Sequence, residues 1–298
     1  MQLVATLITD PRRADLSPEK VTNVLEVMTA RGATTEQPIW LAQGIACDIF
    51  FEGMALAAAR EMARTDFETA ETGLVIQSRA DRRKKLLIAD MDSTIVTSET
   101  LDELAAHAGI KDQISHITAR TMRGEIDFKA ALRERVGKLA GLSVEALGET
   151  LSHVKLTPGA RTLVQTMRAD GAHTVLVSGG FRYFTRAITS QVGFHEERAN
   201  EFVTREDRLT GDVVEPILDK DAKLEALNEI AAQKNLPMSA TLATGDGAND
   251  LPMIKAAGLG VAYHAKPIVE AEAPASIKWG DLTALLYLQG YRQSEFRS

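Results

Sequence analysis

The chain has 298 residues, 45% of them hydrophobic and 25% charged, which is the composition of an ordinary globular protein with room for about two domains. Its formal net charge of −7 at pH 7 argues against a protein that binds nucleic acid or anionic membranes through general electrostatic attraction. The single cysteine, Cys47, excludes an intrachain disulfide, and no apolar run approaches the ~20 residues of a membrane span, so we expect a soluble, cytoplasmic protein.

Residues 1–78 alternate between strand and helix patterns in the order βαββαβ. The predicted elements are a strand over 3–9, a helix over 18–31, a hairpin within 38–53 that turns at Gly44, a helix over 54–65 and a strand over 73–78. This order predicts an N-terminal ferredoxin-like, ACT-like α+β domain over residues 1–80. Amino-acid-sensing domains share the order, but the fold hosts many functions, so serine feedback, dimerisation and simple packing all remain open.

The basic run RADRRKK at 79–85 is interpreted as a solvated linker. The continuous apolar run that starts at 86 is typical of a strand covered on both faces, and residues 99–152 are helical in pattern. The predicted elements that follow are helix 160–170, strand 173–177, helix 181–192, a hairpin within 201–214, helix 219–234, strand 240–244, helix 250–257 and strand 259–263. This alternation predicts a second domain over 84–298, a Rossmann-like parallel α/β sheet with a helical cap at about 99–155.

The stretch LLIADMDSTIV at 86–96 places Asp90 and Asp92 at the end of a strand that should be buried. Residues i and i+2 of a strand share a face, so both carboxylates can project together. At ~5 Å and an effective dielectric constant of ~20 they would repel by about 3 kcal/mol. The pair therefore favours a site in which one carboxylate stays ionised and the other holds a proton, unless a cation joins them. The alternative is that the aspartates cap the helix that follows.

A second candidate site follows the strand at 173–177. Ser178 offers a hydroxyl group, and Gly179 and Gly180 allow close approach of the backbone at the start of a helix. Such a turn suits an anion, especially phosphate, although strand-to-helix turns with two glycines are common. Its position also fits, because ligands of open α/β sheets bind at the carboxyl ends of the strands.

Two more features lie further along the chain. A lysine at the start of helix 219–234, either Lys220 or Lys223, could neutralise phosphate charge, although lysines on helices more often face solvent. The segment ATGDGAND at 243–250 places Asp246, Asn249 and Asp250 directly after an apolar strand. Oxygen donors of this kind, together with phosphate and water, are what Mg²⁺ prefers.

These features occur in a fixed order: a strand ending in DxDxT, a strand ending in Ser-Gly, a lysine, and a strand ending in GDxxxD. The order resembles that of the haloacid dehalogenase superfamily of phosphotransferases over essentially residues 86–290. The segments that carry the resemblance are DMDSTIVTSETLDELA, VSGGF, LTGDV and ATGDGAND. The resemblance implies a Mg²⁺-dependent hydrolase that converts O-phospho-L-serine to L-serine through an aspartyl-phosphate intermediate, the last step of serine biosynthesis.

The resemblance also implies a role for each matching residue of the catalytic core. Asp90 would be the nucleophile, and Asp92 would be first the general acid and then the general base. Mg²⁺ would be bound by the Asp90 side chain, the Asp92 carbonyl oxygen and Asp246, with support from Asp250. The phosphoryl oxygens would be bound by Ser178, Gly179 and Lys223. Asn249 would help to orient the site.

In the cap, the resemblance implies that Glu99 pairs with the substrate ammonium group and Arg135 with its carboxylate, while Met122 and Phe128 close the site against water. Two alternatives remain open: a different small phosphomonoester such as phosphohomoserine, and a catalytically idle amino-acid sensor that works through residues 1–78. The expected partner is a small-molecule substrate, with no nucleic acid and no membrane, and a homodimer remains open.

Overall fold

A computed structural model describes residues 2–67, 72–122, 125–219 and 221–298, which form an antiparallel sheet, a parallel sheet and a short separate hairpin. The antiparallel sheet lies within residues 3–78, and the parallel sheet lies within residues 86–277. This architecture confirms the predicted α/β class, with an α+β region preceding the parallel sheet. Within the described ranges, each helix is too short or too polar to cross a bilayer.

The N-terminal elements follow the predicted order closely. They are β1 (Leu3–Ile8), α1 (Pro18–Ala30), β2 (Thr34–Thr35), β3 (Ile39–Ala42), β4 (Ala46–Glu52), α2 (Leu56–Phe67) and β5 (Gly73–Ser78). The sheet order is β2-β4-β1-β5 with β3 also paired to β4, which places the first strand between the third and last strands of the predicted unit, as in a ferredoxin-like fold. Ser17 caps α1 because its Oγ accepts a hydrogen bond from the Lys20 N–H at 3.2 Å.

The next part of the chain is one short strand followed by helices. These elements are β6 (Leu86–Ala89), α3 (Thr100–His107), α4 (Lys111–Met122), α5 (Phe128–Gly137) and α6 (Glu145–His153). The helical pattern over 99–152 is therefore confirmed. All residues of β6 are fully buried, as expected for a strand covered on both faces. The helices α3–α6 lie between two strands of the parallel sheet in sequence, so they form an insertion, the cap.

The remaining elements alternate between strand and helix. They are α7 (Ala160–Ala169), β7 (His173–Phe181), α8 (Arg182–Val192), β8 (Glu196–Asn200), β9 (Phe202–Arg205), β10 (Arg208–Val213), α9 (Ala222–Gln233), β11 (Thr241–Gly245), α10 (Leu251–Ala256), β12 (Leu259–Tyr263), α11 (Pro267–Glu272), β13 (Ala275–Ile277) and α12 (Ala284–Leu288), with single 3₁₀ turns at Met238–Ala240 and Gln293–Glu295. The parallel sheet has the order β13-β12-β11-β6-β7-β8, so β6 lies between β11 and β7. The sequence prediction lacked β8, α11, β13 and α12.

The segment 79–85 is partly buried between the two sheets, so its interpretation as a solvated linker is wrong for Arg82 and Lys84. The Arg82 guanidinium binds both oxygens of Asp48 on β4, at 2.6 and 3.1 Å, and donates to the Leu288 carbonyl at the end of α12 at 3.2 Å. The Lys84 ammonium donates to two main-chain carbonyl groups, at 2.5 and 2.7 Å. The basic run is tolerated in the interior because its charged groups find acceptors there.

Replacing Arg82 by alanine should therefore destabilise the fold strongly. The Asp48 side chain is 2% exposed, so Arg82→Ala leaves a buried carboxylate without its counterion. We expect the free energy of unfolding to fall by about 3–5 kcal/mol, measured by urea denaturation. Arg79→Ala is the control, because Arg79 pairs with Glu36 on the surface and its loss should cost no more than about 1 kcal/mol. Equal losses for the two variants would contradict the assigned role of Arg82.

Candidate active site

Four segments of the chain meet at the carboxyl-end edge of the parallel sheet. Asp90 directly follows β6, Ser178 lies in the last part of β7, and Asp246 directly follows β11. Because β6 is hydrogen-bonded to both β7 and β11, these three positions are neighbours. Lys223 approaches from the first turn of α9. The four features that the sequence places at separate strand and helix ends therefore come together at one site.

Lys223 is the buried counterion of this site. Its Nζ lies 2.6 Å from Asp90 Oδ1 and also bonds to Asp250 Oδ1, and its side chain is 3% exposed. The second oxygen of Asp250 accepts the Gly247 N–H at 2.9 Å. Both oxygens of Asp250 thus have protein partners. The alternative lysine of the sequence prediction, Lys220, lies outside the described residues.

Gly245 is required for this arrangement of Asp250. A Cβ atom at position 245 would lie 2.3 Å from the Asp250 Cγ, a distance that real Cβ atoms do not reach. Any other residue would therefore displace Asp250 from Lys223. The glycine at the end of β11 is explained by close approach of this carboxylate, rather than by an unusual backbone conformation.

The electrostatics of the site are dominated by burial. Burial raises the pKa of Asp90 well above its usual value, the Asp250 carboxylate raises it further, and the Lys223 ammonium opposes both effects. Burial, followed by Asp250, raises the pKa of Asp246 to about 6. Burial lowers the pKa of Lys223, but the carboxylates of Asp250 and Asp90 more than reverse that effect. One ammonium group thus faces three buried carboxyl groups.

This excess of carboxyl groups fits a divalent cation. One oxygen each of Asp90, Asp246 and Asp250 lies within 4.8 Å of the others. Because Asp250 is bonded to Lys223 and Gly247, the Asp90 and Asp246 side chains are the better placed to bind an ion directly. Carboxylate oxygens are the donors that hard cations such as Mg²⁺ and Ca²⁺ prefer. The donor set and the charge balance therefore both support a cation site.

Asp92 lies beside this cluster and is directed towards the cap. The irregular turn Met91–Ile95 carries it, and its Oδ1 accepts the N–H of Thr100, the first residue of α3, at 2.8 Å. Its Oδ2 accepts the Ser178 hydroxyl at 3.3 Å. Burial, followed by the Glu99 carboxylate, raises the pKa of Asp92 to about 6. The helix-capping alternative is therefore correct for one carboxylate oxygen, while the other oxygen faces the loop of Ser178.

The loop that contains Ser178 lies directly beneath the cap. Ser178 is 2% exposed, and its Oγ accepts the Gly180 N–H at 2.9 Å. A Cβ atom at Gly179 would lie 3.3 Å from Cζ of the half-buried Phe128. Gly179 therefore lets the loop pass close to the aromatic ring that begins α5, so that the ring can cover the site.

The cap contributes charged groups of both signs. Glu99 is exposed, and its Oε1 accepts the Ser93 hydroxyl at 2.8 Å. The Nε of Arg135 is buried and has no hydrogen-bond partner within the described residues. Burial lowers the pKa of Arg135, and the carboxylates of Asp102 and Glu99 oppose that effect. The side chain of Met122, at the end of α4, lies outside the described part of the chain.

Asn249 is exposed in the loop between β11 and α10.

Sequence reasoning missed two residues that contact the site. Thr94 Oγ1 lies 3.5 Å from Asp246 Oδ1, and it could have been found because it belongs to the same motif as the aspartates. Asn200 is buried at the end of β8 and donates to the Gly179 carbonyl at 2.9 Å. Its surroundings, EERAN, carry no periodic signal that would have marked it.

Comparison with known proteins identifies relatives of this site. The family model for haloacid dehalogenase-like hydrolases matches residues 87–255. The phosphoserine phosphatase of Streptomyces coelicolor is 41% identical over 244 residues, which are 82% of this chain and 59% of that protein. The chain thus spans about three fifths of the length of this curated relative.

Solved structures extend the likeness to the whole chain. A HAD family hydrolase from Salmonella enterica superposes with a TM-score of 0.84 and 27% identity, covering 97% of this chain and 98% of that one. A phospho-aspartyl intermediate analogue of phosphoserine phosphatase superposes with a TM-score of 0.64 and 36% identity, covering 69% of this chain and 98% of that one. The first likeness includes the N-terminal antiparallel sheet, because it covers almost the full length of both chains.

The raised pKa of Asp246 predicts a gain of stability on replacing it when no metal is bound. The pKa of Asp246 is about 6 in the folded protein and 3.8 ordinarily, so the folded state binds a proton on this carboxyl group more tightly than the unfolded state does. The free energy of unfolding therefore falls as the pH rises from about 4 to 6 and the group ionises. In chelator at pH 7.5, Asp246→Asn should raise the free energy of unfolding by up to about 3 kcal/mol, and the gain should shrink towards pH 4.5. Urea denaturation measures both effects.

Added Mg²⁺ should stabilise the parent protein and stabilise Asp246→Asn much less, since the variant lacks one ligand. The control is Asp207→Asn, an exposed position with φ of 56° at which asparagine is well tolerated. A metal-free Asp246→Asn protein that is less stable than its parent at pH 7.5 would contradict this account of the site.

Proposed function

The chain belongs to the haloacid dehalogenase-like hydrolases, and on that premise we propose that it is a Mg²⁺-dependent phosphoserine phosphatase. It hydrolyses O-phospho-L-serine to L-serine and phosphate, as the last step of serine biosynthesis. The observation that carries the proposal is the contact of 2.6 Å between Asp90 and Lys223 beside Asp246, at the edge where β6 meets β11. This is a carboxylate nucleophile next to the charges that neutralise a phosphoryl group.

Asp90 is the nucleophile. A carboxylate oxygen of Asp90 attacks phosphorus, the bond from phosphorus to the seryl oxygen breaks, and an aspartyl-phosphate forms. Lys223 stabilises the ionised form of Asp90 and the negative charge on the transferring group. Phosphate monoesters hydrolyse so slowly unaided that enzymes accelerate the reaction by up to ~10²¹-fold, and a covalent intermediate divides that barrier into two steps.

Asp92 is the general acid and then the general base. Its pKa of about 6 leaves both protonation states accessible near neutral pH. In the first step it gives its proton to the departing seryl oxygen. In the second step it takes a proton from the water that attacks the aspartyl-phosphate. The hydrogen bonds from Thr100 and Ser178 hold its two oxygens in place through both steps.

The other core residues bind the phosphoryl group and the metal. When bound, Mg²⁺ supplies positive charge that stabilises the phosphoryl oxygens. Its proposed ligands are the side chains of Asp90 and Asp246 and the main-chain carbonyl of Asp92, with Asp250 holding Lys223 behind them. The residues that we assign to the phosphoryl oxygens are Ser178, the Gly179 N–H and Lys223, with Asn249 orienting the site.

The cap selects the substrate. The Nε of Arg135, which has no partner in the part of the chain that the structure describes, is a donor for the substrate carboxylate, and Glu99 is accessible to the substrate ammonium group. Phe128 and Met122 exclude water when the cap closes. The division into domains over 1–80 and 84–298 and a cytoplasmic location remain predictions, as does the absence of nucleic-acid and membrane partners, and a homodimer remains an open alternative.

Phosphate release from a panel of phosphomonoesters tests the activity. We expect O-phospho-L-serine to be the preferred substrate over phosphohomoserine and p-nitrophenyl phosphate, with Mg²⁺ required and chelator abolishing turnover. Asp90→Asn should lower kcat by at least about 10³-fold because the amide cannot act as the nucleophile. Asp207→Asn, on the surface, should keep the parent rate. Turnover that is indifferent to chelator, or an Asp90→Asn protein with the parent rate, would refute the mechanism.

Arg135→Ala tests the origin of substrate preference. We expect kcat/KM for O-phospho-L-serine to fall by about 10²- to 10³-fold, because a buried charged contact to the carboxylate is lost. The value for p-nitrophenyl phosphate, which has no amino-acid carboxylate, should change by less than about threefold. Arg133→Ala is a matched control on the same helix, since Arg133 is exposed and pairs with Glu215 at 2.6 Å. Similar losses on both substrates would show that Arg135 does not read the carboxylate.

A further inference from the structure

The hydrogen-bond ladder between β7 and β8 is interrupted at residues 178–180, which include the proposed phosphoryl-binding residues Ser178 and Gly179. Val177 is paired with Arg198, but the next pair along the strands is Phe181 with Asn200. The segment 178–180 on β7 therefore faces only one residue of β8. Such a bulge removes main-chain groups from the regular ladder, and those groups need other partners.

Asn200 supplies a partner for this bulge. Its side chain is buried, and its Nδ2 donates to the Gly179 carbonyl at 2.9 Å and to the Leu218 carbonyl at 3.2 Å. Its Oδ1 accepts the Leu218 N–H at 2.8 Å. Two carbonyl acceptors and one N–H donor fit the amide in only one orientation, so the side chain is fixed.

The bond to Gly179 fixes the direction of the next N–H group. In a trans peptide the C=O and the following N–H point in opposite directions. With the Gly179 carbonyl held by Asn200, the Gly180 N–H points the other way, to Ser178 Oγ at 2.9 Å. That bond occupies a lone pair of the hydroxyl oxygen, whose proton is directed to Asp92 Oδ2 at 3.3 Å. A chain of hydrogen bonds thus leads from Asn200 to the proposed general acid.

The bonds to Leu218 extend the same anchor to a second segment. Leu218 is five positions before Lys223, in the connection that leads into α9. Asn200 therefore joins the loop that binds the phosphoryl oxygens to the segment that delivers their counterion. A single buried amide therefore links two parts of the site, the end of β7 and the connection that leads into α9.

We propose that Asn200 is a positioning residue for phosphoryl transfer, which orients the Gly179–Gly180 peptide and the Ser178 hydroxyl and holds the approach of Lys223. This inference rests on the proposed function, because it assigns the phosphoryl group to that loop. Asn200 does not reach the reacting atoms. Its effect is on the geometry of groups that do, and errors of about 1 Å in such groups can cost 10²-fold in rate.

The test is calorimetric binding of inorganic phosphate in the presence of Mg²⁺, with kcat/KM measured on the best substrate of the parent protein. Asn200→Ala removes all three bonds, and Asn200→Asp keeps the shape and the acceptor but places a carboxylate against two carbonyl oxygens. We expect both to raise the Kd for phosphate by at least tenfold and to lower kcat/KM by about 10- to 100-fold. Reversible unfolding raises the apparent Kd only by the reciprocal of the folded fraction, so a tenfold rise in a variant that circular dichroism shows to be mostly folded reports the site itself.

Thr174→Val is the matched control. Thr174 is fully buried on the same strand, β7, and its hydroxyl contacts His195 Nδ1 at 3.1 Å, away from the site. It should lose stability and keep the Kd for phosphate within about twofold. If Asn200→Ala does not fold, Asn200→Asp and Asn200→Ser carry the same measurement.

The outcomes separate this inference from the proposed function. A parent protein that binds no phosphate with Mg²⁺ overturns the proposed function, and the role of Asn200 with it. A parent that binds phosphate, with Asn200 variants that bind it equally well, overturns the positioning role alone and leaves Asn200 as a packing residue. Weaker binding in both Asn200 variants, with Thr174→Val unchanged, supports the inference.

Discussion

The contact between Lys223 and the two carboxylates of Asp90 and Asp250 is the constraint on which the site depends. An isolated charge is too costly to bury, so each member of the cluster needs the others. Their mutual approach requires a glycine at position 245, and it requires α9 to begin where its first turn reaches the end of β6. Even so, one ammonium group does not balance the carboxylates, since Asp246 lies among them. The excess of carboxyl groups over ammonium groups therefore favours the binding of a cation at this edge of the sheet.

The same edge of the sheet separates the two aspartates of the DxD motif. Asp90 directly follows β6, and its side chain lies in the cluster with Lys223 and Asp250. The irregular turn Met91–Ile95, in which Ser93 has a φ of 56°, directs Asp92 towards the cap. There the N-terminus of α3 binds one Asp92 oxygen through Thr100. Repulsion between two carboxylates two residues apart would favour different protonation states for them in any case. The structure gives each aspartate its own partner, Lys223 for Asp90 and the Thr100 N–H at the start of α3 for Asp92, and both partners stabilise an ionised carboxylate.

Much of this could be predicted from the sequence, because strongly apolar runs that end in a few polar residues identify both the strands and their chemistry. Asp90 and Asp246 were found in this way. Two of the failures share a cause: β8, with the sequence EERAN, and Arg82 are polar, and they are placed by strand pairing and by a carboxylate that lie far away in the chain. Arg135 is a similar case, since one helix carries Arg133 on the surface and Arg135 inside, and only the family resemblance distinguished them. Local patterns record apolar burial well, whereas polar burial depends on partners that tertiary structure supplies.

The N-terminal sheet is joined to the rest of the chain by polar groups of the same kind. Thr6 and Arg82 both donate to the buried Asp48, at 2.7 and 2.6 Å, on the face of the sheet opposite α1 and α2. On that face Gln77 donates to the Leu288 carbonyl of α12 at 2.6 Å. Because this face is already covered from within the chain, an amino acid or a second copy that binds the region 1–80 has to use its helical face or its sheet edges. Arg82 and Gln77 both donate to the Leu288 carbonyl, so the two side chains tie the N-terminal sheet to α12.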